Sequence, residues 1–157
     1  MAIRKTCVRM GIAVALAGMS MAPAPAAAQE PTRLSDEQVE RLLDRIEKSA
    51  DKFRESLDDA LDESRVDDSK LKDDLNRYVH AFENATDRLE ERFDDDRATG
   101  DDVLEVMTRA AEINGAMTRF EFTDRAQGDW RLLRNDLNEL ARAYNLVWEW
   151  KMATLPR

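Results

Sequence analysis

Cysteine is almost absent from this chain, and several other residue types are scarce. The 157 residues hold one cysteine, one histidine, four prolines and five glycines, and aromatics make up only 6%. Cys7 stands before a short apolar run, whereas a lipoprotein cysteine stands at the end of one. No cysteine follows residue 28, so beyond that point thiol catalysis, disulfides and cysteine-ligated metals are excluded. A chain without thiols also tolerates an oxidising compartment. The lone histidine, His80, removes further classes. Covalent haem attachment needs a Cys-x-x-Cys-His run. A di-iron bundle needs a Glu-x-x-His pair on each of two helices, and Arg77 stands three residues before His80. At about 100° per residue, His80 falls roughly 150° from the middle of its helix's apolar stripe, so it is expected to face water. The acidic clusters Asp58-Asp59, Asp67-Asp68, Asp73-Asp74 and Asp94-Asp95-Asp96 lack the alternating ligand pattern of a calcium loop and read as solvated charge. No nucleophile elbow occurs. The expectation is a protein that is not an enzyme and uses no cofactor or metal.

A membrane-spanning apolar run is missing too. Gly11 to Ala22 is about a dozen residues, short of the roughly 20 needed to cross a bilayer. Arg4, Lys5 and Arg9 precede it, Pro23 and Pro25 follow it, and Ala26 to Ala28 place small residues at the cleavage positions. That is the layout of a secretory signal peptide over residues 1–28. Cleavage is expected between Ala28 and Gln29, which gives a periplasmic or secreted product with no membrane span. Its loss removes three of the 24 basic residues and no acidic one, leaving 33 acidic residues against 21 basic. Such a surface is repelled by phosphate backbones, so nucleic acid is not expected as a partner.

What the chain does have is helical periodicity. Residues 29–34 read as a linker containing Pro31, and residues 35–157 as a single domain. Ser35 and Gln38 stand at capping-box spacing, with Leu34 and Val39 placed for a hydrophobic staple. Val39, Leu42, Leu43, Ile46, Ala50, Phe53, Leu57 and Leu61 then recur in steps of three and four, which puts them on one face of a first helix. A turn over residues 62–68 leads to a second stripe: Leu71, Leu75, Tyr78, Val79, Phe82, Ala85, Leu89 and Phe93. After Thr99 and Asp102, again at capping-box spacing, a third carries Val103, Val106, Met107, Ala110, Ile113, Met117 and Phe120. A fourth run, Thr123 to Trp150, holds all three tryptophans, with a stripe of Ala126, Trp130, Leu133, Leu137, Leu140, Ala141, Tyr144, Val147 and Trp148. Four amphipathic helices joined by short turns predict an all-α, up-down-up-down four-helix bundle. Two helical hairpins paired in a dimer would give the same pattern.

Five side chains stand out as site candidates. Asn114 falls on the apolar face of the third helix, beside Gly115; either it is a buried polar group with a partner or the pair marks a bend. Arg134 stands one position round from Leu133; it either pairs with a carboxylate of a neighbouring helix or snorkels at the boundary. Leu132, Leu146 and Trp150 project from the back of a helix running to Trp150, as scattered exposed apolars or as a contact patch for a partner or a second subunit.

Two resemblances rest on short motifs. Leu34-Ser35-x-x-Gln38 resembles the Leu-Thr-x-x-Gln motif of Spy and CpxP-type periplasmic stress proteins. The second copy usual in that family fails here at Ala126, in Phe122-Thr123-Asp124-Arg125-Ala126. The wider pattern is similar to a set of short exported bacterial helical proteins. It joins the signal peptide to Ala50-Asp51-Lys52-Phe53-Arg54, Phe82-Glu83-x-Ala85-Thr86 and Asp129-Trp130-x-x-Leu133-Arg134-x-Asp136-Leu137-x-x-Leu140-Ala141. That likeness implies location and fold. The function expected is protein contact, as an adaptor, chaperone-like binder or envelope-stress factor. The alternative is a non-covalent carrier of a small ligand or cofactor, with Met107, Met117, Asn114 and aromatics lining a cavity in the bundle core.

Overall fold

The computed structural model describes residues 34–63 and 69–150, and the signal segment, its cleavage site and most of the linker lie outside them. The described chain is all-helical: α1 (Asp36–Glu63), α2 (Ser69–Asp94), α3 (Gly100–Arg119) and α4 (Asp124–Ala143). No strand occurs among the described residues. Among them, too, no helix is long and apolar enough to cross a membrane.

Local chemistry sets the helix starts. Ahead of α1 the Ser35 amide donates to Gln38 Oε1 at 2.8 Å, so the residue at the third helical position reaches back to the cap. Ahead of α3 the Thr99 amide and hydroxyl both donate to Asp102 Oδ2, at 2.9 and 2.7 Å. At α4 the Thr123 hydroxyl accepts the Ala126 amide at 3.3 Å. Each satisfies a donor that a helix start leaves without an intrahelical partner.

Two helix ends are closed without glycine. Asp96 follows α2 and Asn145 follows α4, and both have φ 57°. The Arg97 amide returns to the Arg92 carbonyl at 2.7 Å, and the Leu146 amide to the Ala141 carbonyl at 2.8 Å. With the Asp96 amide on the Phe93 carbonyl and the Asn145 amide on that of Arg142, each is a Schellman motif. At Asn145 the helical path stops short of the expected end at Trp150. Val147, expected in the core stripe, is 95% exposed instead, and Trp148 is half-buried.

The other stripes fold as their spacing predicts. Leu42, Ile46, Phe53, Leu57, Leu75, Phe82, Leu89, Val103, Val106, Met107, Ile113, Leu133 and Leu137 are almost wholly buried. Fully burying a side chain of this size contributes about 1.5–3 kcal/mol. α1 packs chiefly on α4, and α2 on α3. Ion pairs mark the register. Arg45, early in α1, holds Asp136 and Glu139 of α4 at 2.7 and 2.5 Å. Arg125, at the start of α4, holds Glu55 and Asp59, late in α1, at 3.2 and 2.7 Å. The two helices therefore pair in opposed order. Arg88 to Glu105 and Arg92 to Asp102 set the same opposed order between α2 and α3.

Candidate functional site

The C-terminal segment that leaves α4 carries most of the unusual chemistry. Beyond Asn145 the chain folds back along α4, and exposure alternates from Leu146 to Trp150: half-buried at 146, 148 and 150, exposed at 147 and 149. Alternation with period two is what an extended strap lying on a surface produces. Leu146 sits against the start of α3, where its side chain approaches the open face of Gly100.

Trp150 is the anchor. Its ring meets Trp130 edge-on at 6.1 Å and 79°, and Trp148 at 5.9 Å and 84°. Its indole N–H donates to Asn138 Oδ1 at 2.7 Å. The Arg134 guanidinium lies over the ring, 4.8 Å from its centroid. Trp130, Arg134 and Asn138 recur in steps of four, so they form one ridge on α4 that the strap covers. Trp130 continues inward: its ring is 5.0 Å from that of Phe53, and its N–H donates to Asn114 Oδ1 at 3.3 Å.

This geometry places the five candidates. Asn114 is a buried polar group with a partner, 4% exposed, and α3 runs through Gly115 to Arg119 without ending there. Arg134 has a half-buried guanidinium whose cover is an indole; among the described residues no carboxylate forms an ion pair with it. Burial pushes its pKa down from the ordinary arginine value. Its Nε is buried without a hydrogen-bond partner, as is the Trp148 indole nitrogen. Leu132, Leu146 and Trp150 do not share one exposed face. Leu132 is 59% exposed on α4, while Leu146 and Trp150 pack against the core. The reason is Asn145, which turns the chain before a helix could carry the last two to the back.

Two other placements bear on chemistry. His80 is exposed, with Nδ1 3.3 Å from Glu83 Oε2. Asp44 and Glu47 of α1 and Glu90 of α2 bring carboxylate oxygens within 4.8 Å of one another. Burial first, then Glu47, Asp94, Asp44 and Asp87, push the Glu90 carboxyl above its usual range. The sequence shows no sign of this cluster, because it joins two helices whose pairing order only the fold supplies. Met107 and Met117 are buried core residues, and neither lines the cleft that Leu34, Asp36, Phe93, Asp96 and Tyr144 border at one end of the bundle.

The described residues define an all-α fold of four helices with an aromatic strap. No family model, curated protein or solved structure matches the chain.

Proposed function

We propose that this chain is an exported up-down-up-down four-helix bundle that acts by contact with another protein, as an adaptor, chaperone-like binder or envelope-stress factor. The kinship to short exported bacterial helical proteins, and to Spy and CpxP-type proteins, belongs to the same proposal, as does cleavage after Ala28. Val147 carries the reading. It is 95% exposed, while the aromatic and aliphatic side chains beside it on the strap are anchored to the bundle. A branched apolar side chain held in water on a fastened segment favours burial against a partner. Leu104, one turn along α3 from Gly100, is a further exposed apolar side chain, at 43%. An acidic chain with no cysteine beyond residue 28 fits an exported binder. The capture of basic or partly unfolded clients is electrostatically allowed.

The test compares the exported protein with Val147→Asp in envelope cross-linking and in suppression of an unfolded client's aggregation. Val147 makes little contact within the fold, so the variant should melt within about 0.5 kcal/mol of the parent. Partner capture or aggregation suppression should fall sharply. No captured protein and no suppression by the parent would remove the contact reading. Parent-like behaviour of Val147→Asp would remove the strap as its surface. Mass spectrometry of the exported product should give an N-terminus at Gln29.

A further inference from the structure

A second feature lies apart from the strap's outer face. Where α1 begins and α2 and α4 end, the surface of the bundle holds an open cleft of about 450 Å³. That volume suits a small organic molecule. Leu34, Phe93 and Tyr144 supply its apolar and aromatic lining, and Asp36, Asp96 and Asn145 its polar lining.

Charge narrows the ligand. Among the described residues no ion pair engages Asp36 or Asp96, which are both exposed; Asp94 and Asp101 close by are likewise without one, while Asp95 pairs with Arg97 and Asp102 with Arg92. The lining comes from one helix start, that of α1, and two helix ends, those of α2 and α4, so the helix dipoles bring no net positive charge to it. The two carboxylates then set the sign. Burial, with Asp102 and Asp36, pushes the Tyr144 hydroxyl above its ordinary value, so it stays neutral and cannot add to or cancel that charge. Aromatic rings beside unpaired carboxylates suit an ammonium, which gains both ion pairing and the electrostatic attraction of a ring face.

Asp96 and Asn145, whose positive φ closes α2 and α4, both line this cleft.

We propose that this cleft binds a small organic cation, an ammonium on a short hydrocarbon or aromatic arm. Asp36 and Asp96 face the charge, and Phe93 and Tyr144 face the arm. The site does not depend on the protein-contact reading and is tested separately from it.

Ligand-observed NMR titration of the protein recovered from expression of the full chain distinguishes three heads on one ring and arm: 2-phenylethylammonium, 2-phenylethanol and 3-phenylpropionate. The ammonium should bind at least about tenfold more tightly than the alcohol, and the carboxylate more weakly still. Added salt should weaken the ammonium's binding. Asp96→Gly provides a second readout, because it removes a carboxylate and relaxes the left-handed backbone together. Its thermal midpoint should rise while its affinity for the ammonium falls about tenfold. A purely structural Asp96 would show the first change without the second. Equal binding of the three probes would overturn the charge assignment. No binding of the ammonium to a helical, folded protein would overturn the site, and so would parent-like affinity in Asp96→Gly.

Discussion

Trp150→Ala gives the clearest separation between a strap that belongs to the fold and one that merely lies on it. The substitution removes two edge-to-face ring contacts, to Trp130 and Trp148. Such pairs contribute about 0.5–1.5 kcal/mol each beyond their buried area. It also removes the indole hydrogen bond to Asn138, about 1 kcal/mol net. The Arg134 contact adds about 0.5–1 kcal/mol. These terms share partners and are not additive. Part of the loss is also returned, because water can reach the Arg134 guanidinium once its indole cover is gone. The expected cost is therefore about 2 kcal/mol, a fall in midpoint of roughly 8 °C for a domain of this size. Urea unfolding followed by far-UV circular dichroism measures it. The near-UV signal of the coupled tryptophans should collapse while helix content stays close to the parent's. Leu132→Ser, at an exposed position on α4 away from the strap, serves as the internal control and should move stability by less than about 0.5 kcal/mol. A Trp150→Ala variant as stable as that control would refute the anchoring geometry.

Asn114→Ala strands the Trp130 indole N–H in the core without its acceptor. It should cost about 1–3 kcal/mol in the same unfolding experiment. Glu90→Gln tests the acidic cluster through its pH dependence. Burial and four neighbouring carboxylates raise the Glu90 pKa in the folded state. The protonated form is thus favoured by folding, and its contribution is present below the unfolded value and lost as pH rises through the folded one. The glutamine variant should be more stable than the parent at neutral pH, and the difference should vanish in acid, below the usual carboxylate range. A stability gain that persists unchanged into acid would show that charge is not its cause.

The stripes of α1, α2 and α3 were legible because burial on one helical face demands only apolar residues three and four apart, and nothing else in those segments competes. The Gln38 and Asp102 caps were legible for a similar reason: both partners lie within one turn. What the periodicity hides is polar burial with a local remedy. Ser56 and Thr86 are buried, and each hydroxyl donates to the carbonyl of a phenylalanine one turn back, Phe53 and Phe82. A stripe rule assigns such residues outward, because it cannot see that their hydrogen bonds are made within their own helix. Pairings across the bundle are hidden as well. Arg45 finds Asp136 and Glu139 more than ninety positions away, and no local pattern in either helix announces the other.

The fourth run misleads for a different physical reason. From Leu140 through Tyr144 to Val147 and Trp148, steps of three and four continue the helical stripe, yet Leu146, Trp148 and Trp150 equally fit a period of two. Five residues are too few for either period to exclude the other. The deciding residue is Asn145, since asparagine accepts the left-handed conformation that ends a helix with less strain than most side chains. A second sign lies further back. Trp130, Arg134 and Asn138 make a ridge of ring, cation and amide that water would have to cover if the helix simply continued past it. A strap carrying a tryptophan covers all three at once, with an edge for the ring, a face for the cation and an N–H for the amide. Leu146 and Trp150 are therefore fastenings, and a surface built from them would open only if the strap lifted. Contact without such opening must use what the fastened strap leaves outside, and on that segment the apolar side chain left outside is Val147.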